Sequence, residues 1–136
     1  MNSKPVLTAD EVAQMLAAAR QEAQANAWAV TIAVVDDGGH LLGLQRLDGA
    51  SPASAAIATD KARTAALGRR ESKAYEDMIN NGRTAFLSAP LHGMLEGGVP
   101  VVCEGQVVGA VGVSGVKSEQ DAQVAKAAVR TVAAGQ

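Results

Sequence analysis

The two histidines are the first side chains in this sequence that could do chemistry. His40 directly follows Asp36-Asp37-Gly38-Gly39, a strong signal for a tight turn between two strands. An imidazole at the start of a strand could ligate iron or act as a general base, or it could simply close the turn at the surface. His92 lies in a segment that predicts a loop around Pro90, where a solvated side chain is the simpler interpretation.

Charged side chains offer further candidates. Asp36 and Asp37 could form a carboxylate pair for acid/base chemistry, although adjacent aspartates before two glycines more often cap their own backbone. Lys61 and Arg63 lie on one predicted helix, where they could bind a carboxylate. The alternative is that they belong to a solvated helix face with ion pairs to neighbouring acids.

A glycine-rich segment, Gly109-Ala110-Val111-Gly112-Val113-Ser114-Gly115, runs from a predicted strand toward a predicted helix. Glycine at every third position allows the close approach of a backbone or a ligand. The helix N-terminus that follows would present free N–H groups suited to an anion. One interpretation is that this segment lines a ligand-binding site, with Gly109, Gly112, Ser114 and Gly115 in contact with the ligand. The other is that the glycines only relieve crowding between sheet and helix.

Composition excludes several classes of protein. A formal net charge of −2 and only three aromatic residues argue against a nucleic-acid surface. No apolar stretch approaches the roughly 20 residues that cross a bilayer. The single Cys103 excludes an intramolecular disulfide and a zinc site built on several cysteines. Because Met1–Thr8 lacks the profile of a signal peptide, we expect a cytoplasmic protein.

The elements that must position these residues alternate between helices and hairpins. Thr8-Ala9-Asp10-Glu11 predicts a capped helix, and Trp28–Val35 and His40–Leu47 predict a hairpin. Helices are predicted from Ser51 to about Arg70 and over Glu71–Ile79, followed by a mostly irregular segment over 83–98. A second hairpin over Val99–Cys103 and Gln106–Val113 precedes a last helix from Ser118. This order predicts an α+β fold, a single domain over residues 1–136.

Several motifs, taken in order, resemble the GlcG/HbpS family, and the resemblance runs from about Thr8 to Ala134. They are Val34–Leu42, Lys61-Ala62-Arg63-Thr64-Ala65, Gly97-Gly98-Val99-Pro100-Val101, Gly109–Gly115 and Asp121–Ala125. The resemblance implies a profilin-like fold, an antiparallel sheet flanked by helices. It also implies a homo-oligomer, which suits a core built largely from alanine.

The resemblance further implies haem as a cofactor, because some members of the family bind haem through histidine. His40 is the first candidate for the iron ligand, with His92 as a possible second one. Lys61 or Arg63 would then pair with the propionates, and Gly109–Gly115 would form a flat wall for the macrocycle.

Three hypotheses for function follow. The first is a cytoplasmic, oligomeric protein that binds haem or a small ligand and is associated with organic-acid (glycolate-like) metabolism. The second is an enzyme for a hydroxy- or oxo-carboxylate, in which Arg63 anchors the substrate and Asp37, His40 or Glu96 is the base. The third is a structural partner of an enzyme encoded nearby.

Overall fold

Helix α1, Ala9–Ala25, begins at the predicted capping box. In the computed structural model, which describes residues 1–133, Thr8 Oγ1 accepts the N–H of Glu11 at 3.2 Å. The Glu11 carboxylate in turn accepts the N–H of Thr8 at 2.9 Å. Two backbone donors that an uncapped helix would leave free are thereby satisfied.

The four strands form one antiparallel sheet in the order β2-β1-β4-β3. They are β1 Thr31–Asp36, β2 Leu41–Arg46, β3 Gly98–Cys103 and β4 Gln106–Ser114. Both predicted hairpins are confirmed, but β1 starts at Thr31 rather than at Trp28. The reason is that the N–H of Trp28 donates to the Ala23 carbonyl at 2.9 Å, so Trp28 closes the end of α1 instead of joining the sheet.

The remaining helices are α2 Pro52–Gly68, α3 Lys73–Asn80 and α4 Ser118–Ala133, with a short 3₁₀ helix over Thr84–Ser88. That 3₁₀ helix lies in the segment 83–98, for which the sequence predicts mostly loop. No helix in the described part of the chain is long and apolar enough to cross a membrane. The predicted domain includes residues 134–136, which lie outside the described residues.

The larger core lies between one face of the sheet and helices α1 and α4. Ile32 and Val34 of β1 and Val111 and Val113 of β4 point into it, and all four are fully buried. Helix α4 contributes its apolar residues to the same core. They are Val124, Ala125, Ala128 and Val132, with Val129 packed at its margin.

Helix α2 covers the opposite face of the sheet in a seam made almost entirely of small residues. The seam contains Ala33, Val35, Ala58, Ala62, Ala65, Ala66 and Ala110, all fully buried. Its closest approach is at Gly112 of β4, where an added Cβ would lie 2.0 Å from the Ala58 carbonyl oxygen. Such distances are far below van der Waals contact, so β4 requires glycine there. The α+β fold predicted from the sequence is thus confirmed, with helices on both faces.

Candidate functional site

The β1–β2 turn is organised by the carboxylate of Asp36. Its Oδ1 atom accepts the backbone N–H groups of Gly38 and His40, each at 2.9 Å. Gly39 closes the turn with a φ of +82°, a conformation that favours glycine. The turn role predicted for the adjacent aspartates is confirmed for Asp36.

The same Asp36 oxygen lies 3.3 Å from Nδ1 of the His40 ring. The side chain of His40 is 83% exposed. A Cβ on Gly38 would lie 3.2 Å from two atoms of the ring, so a residue without a side chain at position 38 gives the ring room. Within residues 1–133, no hydrogen bond engages its Nε2 atom. A carboxylate beside one ring nitrogen favours the ring orientation in which Nε2, on the other side, faces solvent and can bind a metal.

Asp37 is held by two cations. Its carboxylate forms an ion pair with Lys4 and lies 3.9 Å from Arg69 Nη2, while Arg69 Nη1 donates to the Asp37 carbonyl at 2.6 Å. The hydrogen bond from Lys4, supported by the charges of Lys4 and Arg69, lowers the pKa of Asp37. A carboxylate with a lowered pKa is a weaker base, which disfavours Asp37 as a general base.

Arg63 lies on the exposed face of α2, beside the turn. A Cβ on Gly39 would sit 3.5 Å from both Cγ and Nε of Arg63. On its other side, Arg63 lines a small cleft together with Asp60 and His92. Within residues 1–133 its guanidinium forms no ion pair. Arg63 is therefore a free cation between the segments that carry the two histidines.

Lys61 is buried whereas Arg63 is exposed, although only one residue separates them in the sequence. It is 4% exposed, and its Nζ donates to the Val113 carbonyl at 3.0 Å and to Asp121 Oδ2 at 3.1 Å. The expectation that Lys61 could pair with a propionate is therefore corrected, because its ammonium lies in the interior. Burial raises the pKa of Asp121, and Lys61 opposes that rise.

The glycine-rich strand is also interior. A Cβ on Gly109 would lie 2.5 Å from the Val35 carbonyl oxygen, and Gly112 is closed by α2 as described above. Gly115 has a φ of +145° and adjoins the Ala29 carbonyl, while Ser114 is buried. Gly109–Gly115 therefore offers no open wall to a ligand in this fold. The alternative, that the glycines relieve crowding between sheet and helix, holds for Gly112, which meets α2, whereas Gly109 meets a neighbouring strand and the exposed Gly115 meets the segment before β1.

Glu96, the third candidate base, belongs to a different part of the molecule. It is half-buried beside Gly97, and its charge acts on Lys73 and Asp121. Asp121 is tied through Lys61 to Val113, at one end of β4, whereas the turn at Asp36 pairs with Gly109 near the other end. About four strand residues, or roughly 13 Å, separate those ends. The three candidate bases do not form one cluster.

An apolar cleft beside His92 was not anticipated from the sequence. It has a volume of about 370 Å³ and lies between α3 and the segment 87–95. Besides His92, its wall includes Ile79, Leu87, Leu91, Met94 and Leu95. The available signal was the density of large apolar residues in a segment without helical or strand periodicity.

The comparisons with known proteins agree with this fold. The family model described as "Haem degrading protein HbpS-like" matches residues 7–130. The chain is 60% identical to Protein GlcG of Escherichia coli K12 over 114 residues, covering 84% of this chain and 85% of that protein. A Klebsiella pneumoniae protein, ORFY, superposes with a TM-score of 0.88 at 34% identity, covering 98% of this chain and 97% of the other.

A PduOC–haem complex superposes with a TM-score of 0.83 at 25% identity, covering 93% of this chain and 94% of the other. The chain belongs to the HbpS-like family, which confirms the resemblance to the GlcG/HbpS family that its sequence motifs indicated. The alignment with Protein GlcG covers the greater part of both chains.

Proposed function

We propose that this protein binds haem at the β1–β2 turn, where Nε2 of His40 would ligate the iron. The observation that carries the proposal is the Asp36–His40 pair. One carboxylate oxygen accepts two backbone N–H groups of the turn and lies 3.3 Å from Nδ1 of the ring. The exposed ring then has one nitrogen free for iron. Bound haem would supply iron-centred redox or oxygen chemistry, and a structural relative was solved as a haem complex.

Arg63 is the residue that we assign to a propionate. It lies against Gly39 and carries no internal ion pair within residues 1–133, so a propionate would not have to displace another carboxylate. Arg69 is less suited, because it already contacts Asp37 through its carboxylate and its carbonyl. Lys61, which is buried, has no part in this site.

We also propose that a second copy of the chain covers the haem. An imidazole that is 83% exposed leaves most of a macrocycle in water, which is unfavourable for so apolar a ligand. The strand after His40 is an edge strand, and three of its side chains are exposed leucines. They are Leu41, Leu42 and Leu44. An apolar edge strand is a natural site for self-association. The cytoplasmic location and the link to glycolate-like metabolism stay predictions.

Haemin titration of the purified protein, followed at the Soret band, tests the iron ligand. We expect saturable, stoichiometric binding that His40→Ala abolishes, with Asp36→Asn weakening it about tenfold or more by releasing the ring. His92→Ala is the matched control and should bind normally. If His92→Ala abolishes binding and His40→Ala does not, the ligand assignment is wrong. If neither variant changes the titration, the haem site at the turn is refuted.

Light scattering with and without haemin tests whether a second copy of the chain covers the haem. We expect a homo-oligomer whose haem stoichiometry matches the number of chains, and Leu42→Lys should weaken both assembly and haem affinity. A monomer that binds haem with full affinity would contradict a site completed by a second copy.

A further inference from the structure

A third cavity lies where the C-terminal part of α1 meets the end of β2. Its volume is about 340 Å³, and Trp28 forms part of its wall. Arg20 of α1 and Arg46, the last residue of β2, line the same space, with the amide side chains of Gln24 and Gln45. We call this cavity the Trp28 cleft. It lies at the opposite end of the β1–β2 hairpin from His40, because Arg46 pairs with Thr31.

Both arginines of the Trp28 cleft are uncompensated. Among residues 1–133, neither Arg20 nor Arg46 forms an ion pair. Glu22, the acidic residue nearest to Arg20 in the sequence, is engaged elsewhere, since its carboxylate accepts from Gln123 Nε2 at 2.7 Å. Asp48 also lines the cleft but pairs with neither guanidinium. Two cations therefore face one unpaired carboxylate, which leaves the cleft positive.

The negative end of α1 near the cleft is weakened by hydrogen bonds to its terminal carbonyls. The Ala23 carbonyl accepts from Asn26 and Trp28 at 3.2 and 2.9 Å, and the Gln24 carbonyl accepts from Ala27 at 3.1 Å. With the Glu22 carbonyl, which accepts from Asn26 Nδ2 at 2.9 Å, three of the last four carbonyls of α1 are satisfied, which reduces the partial negative charge at this end. Ala27 adopts a φ of +59°, unusual for a residue with a side chain, and this left-handed bend brings the chain back to place Trp28 at the cleft.

We infer that the Trp28 cleft binds a small carboxylate with a planar, apolar body. Arg20 and Arg46 supply two guanidinium groups, which bind carboxylates through paired N–H donors. The indole of Trp28 supplies a flat apolar surface for the body of the ligand, and the amides of Gln24 and Gln45 can serve further polar substituents. A volume of about 340 Å³ accommodates a ligand of this kind.

Trp28 is the only tryptophan in the chain, so its fluorescence reports directly on the cleft. Benzoate, phthalate and inorganic phosphate are the probes, with calorimetry as a second readout. We expect a saturable change in emission with benzoate and phthalate, and much weaker binding of phosphate, which has no planar body. Arg20→Gln and Arg46→Gln should each raise the dissociation constant about tenfold.

The controls separate this site from non-specific charge and from the haem site. Arg130→Gln removes an exposed arginine of α4 and should leave the affinity unchanged, as should His40→Ala. Circular dichroism verifies that each variant is folded. Absence of saturable binding, equal binding of phosphate, or an equal loss in Arg130→Gln would each overturn the inference. Loss of carboxylate binding in His40→Ala would also overturn it, by placing the ligand at the turn.

Discussion

Replacing Lys61 by methionine removes the counter-charge of a buried carboxylate while keeping most of the side-chain volume. Lys61 and Asp121 are 4% and 3% exposed, and their charged atoms are 3.1 Å apart. Removing one partner of such a pair leaves a buried, uncompensated charge, which costs about 3–5 kcal/mol. That is a large part of the roughly 5–15 kcal/mol by which a domain is stable, so Lys61→Met should be severely destabilised at neutral pH.

The pH dependence of Lys61→Met follows from the remaining carboxylate. Burial already raises the pKa of Asp121 above its ordinary value of 3.8, and loss of Lys61 should raise it further. With a raised pKa, the folded state binds more protons than the unfolded chain between 3.8 and the folded pKa. Stability therefore falls as the pH rises through that window, and Lys61→Met should regain stability when the pH is lowered toward 5.

Urea unfolding monitored by circular dichroism between pH 5 and 8 measures these effects. Asp121→Asn should also be strongly destabilised, because it leaves the Lys61 ammonium buried without a counter-charge, even though an amide oxygen can still accept from the Val116 N–H, as Oδ1 does now at 3.1 Å. The double variant should be more stable than the sum of the two single losses predicts, by about 1–3 kcal/mol. A Lys61→Met loss below about 1 kcal/mol and independent of pH would refute the reasoning, since exposed pairs behave in that way.

Three further predictions concern other parts of the chain. Gly112→Ala should lower the free energy of unfolding, measured in urea, by about 3 kcal/mol or more, because its Cβ would meet backbone atoms of α2. Gly43→Ala should lower it distinctly less, since its Cβ meets only side-chain methyl groups at 3.0–3.1 Å. Equal losses in the two variants would contradict the close approach of α2 to Gly112. NMR titration of Asp37 should give a pKa below 3.8 that rises in Lys4→Gln, and an unchanged value would remove Lys4 as the cause. Thr8→Ala should lower stability by about 1 kcal/mol through loss of the α1 cap, and a stability equal to wild type would show that the capping box contributes nothing.

Features with a local physical cause could be predicted from the sequence. The α1 capping box depends on two side chains three residues apart, and the turn at Asp36 depends on a short acceptor followed by two glycines. The family resemblance was confirmed by the match over residues 7–130. In each case the residues that fix the structure are neighbours in the sequence.

Features that depend on which surface is covered could not be predicted in this way. Helix α2 carries small residues on much of its circumference, so its sequence does not show that Lys61 is enclosed while Arg63 is free. The same applies to Gly112, since a glycine that accommodates a ligand and one that accommodates a helix look alike in sequence. The strand boundary at Thr31 was missed because Trp28 has high strand propensity, yet its N–H is used to close α1.

The seam between α2 and the sheet affects how the stability of the protein varies with temperature. Six of its seven buried residues are alanines, whose side chains lose no rotamer entropy on folding. The close backbone approach thus gains dispersion contacts with little loss of side-chain freedom. Such a seam also buries little apolar area per residue, and the heat capacity of unfolding scales with that area. The α2 layer therefore contributes a stability that changes only slowly between cold and warm conditions, in contrast to the valine-rich core on the other face.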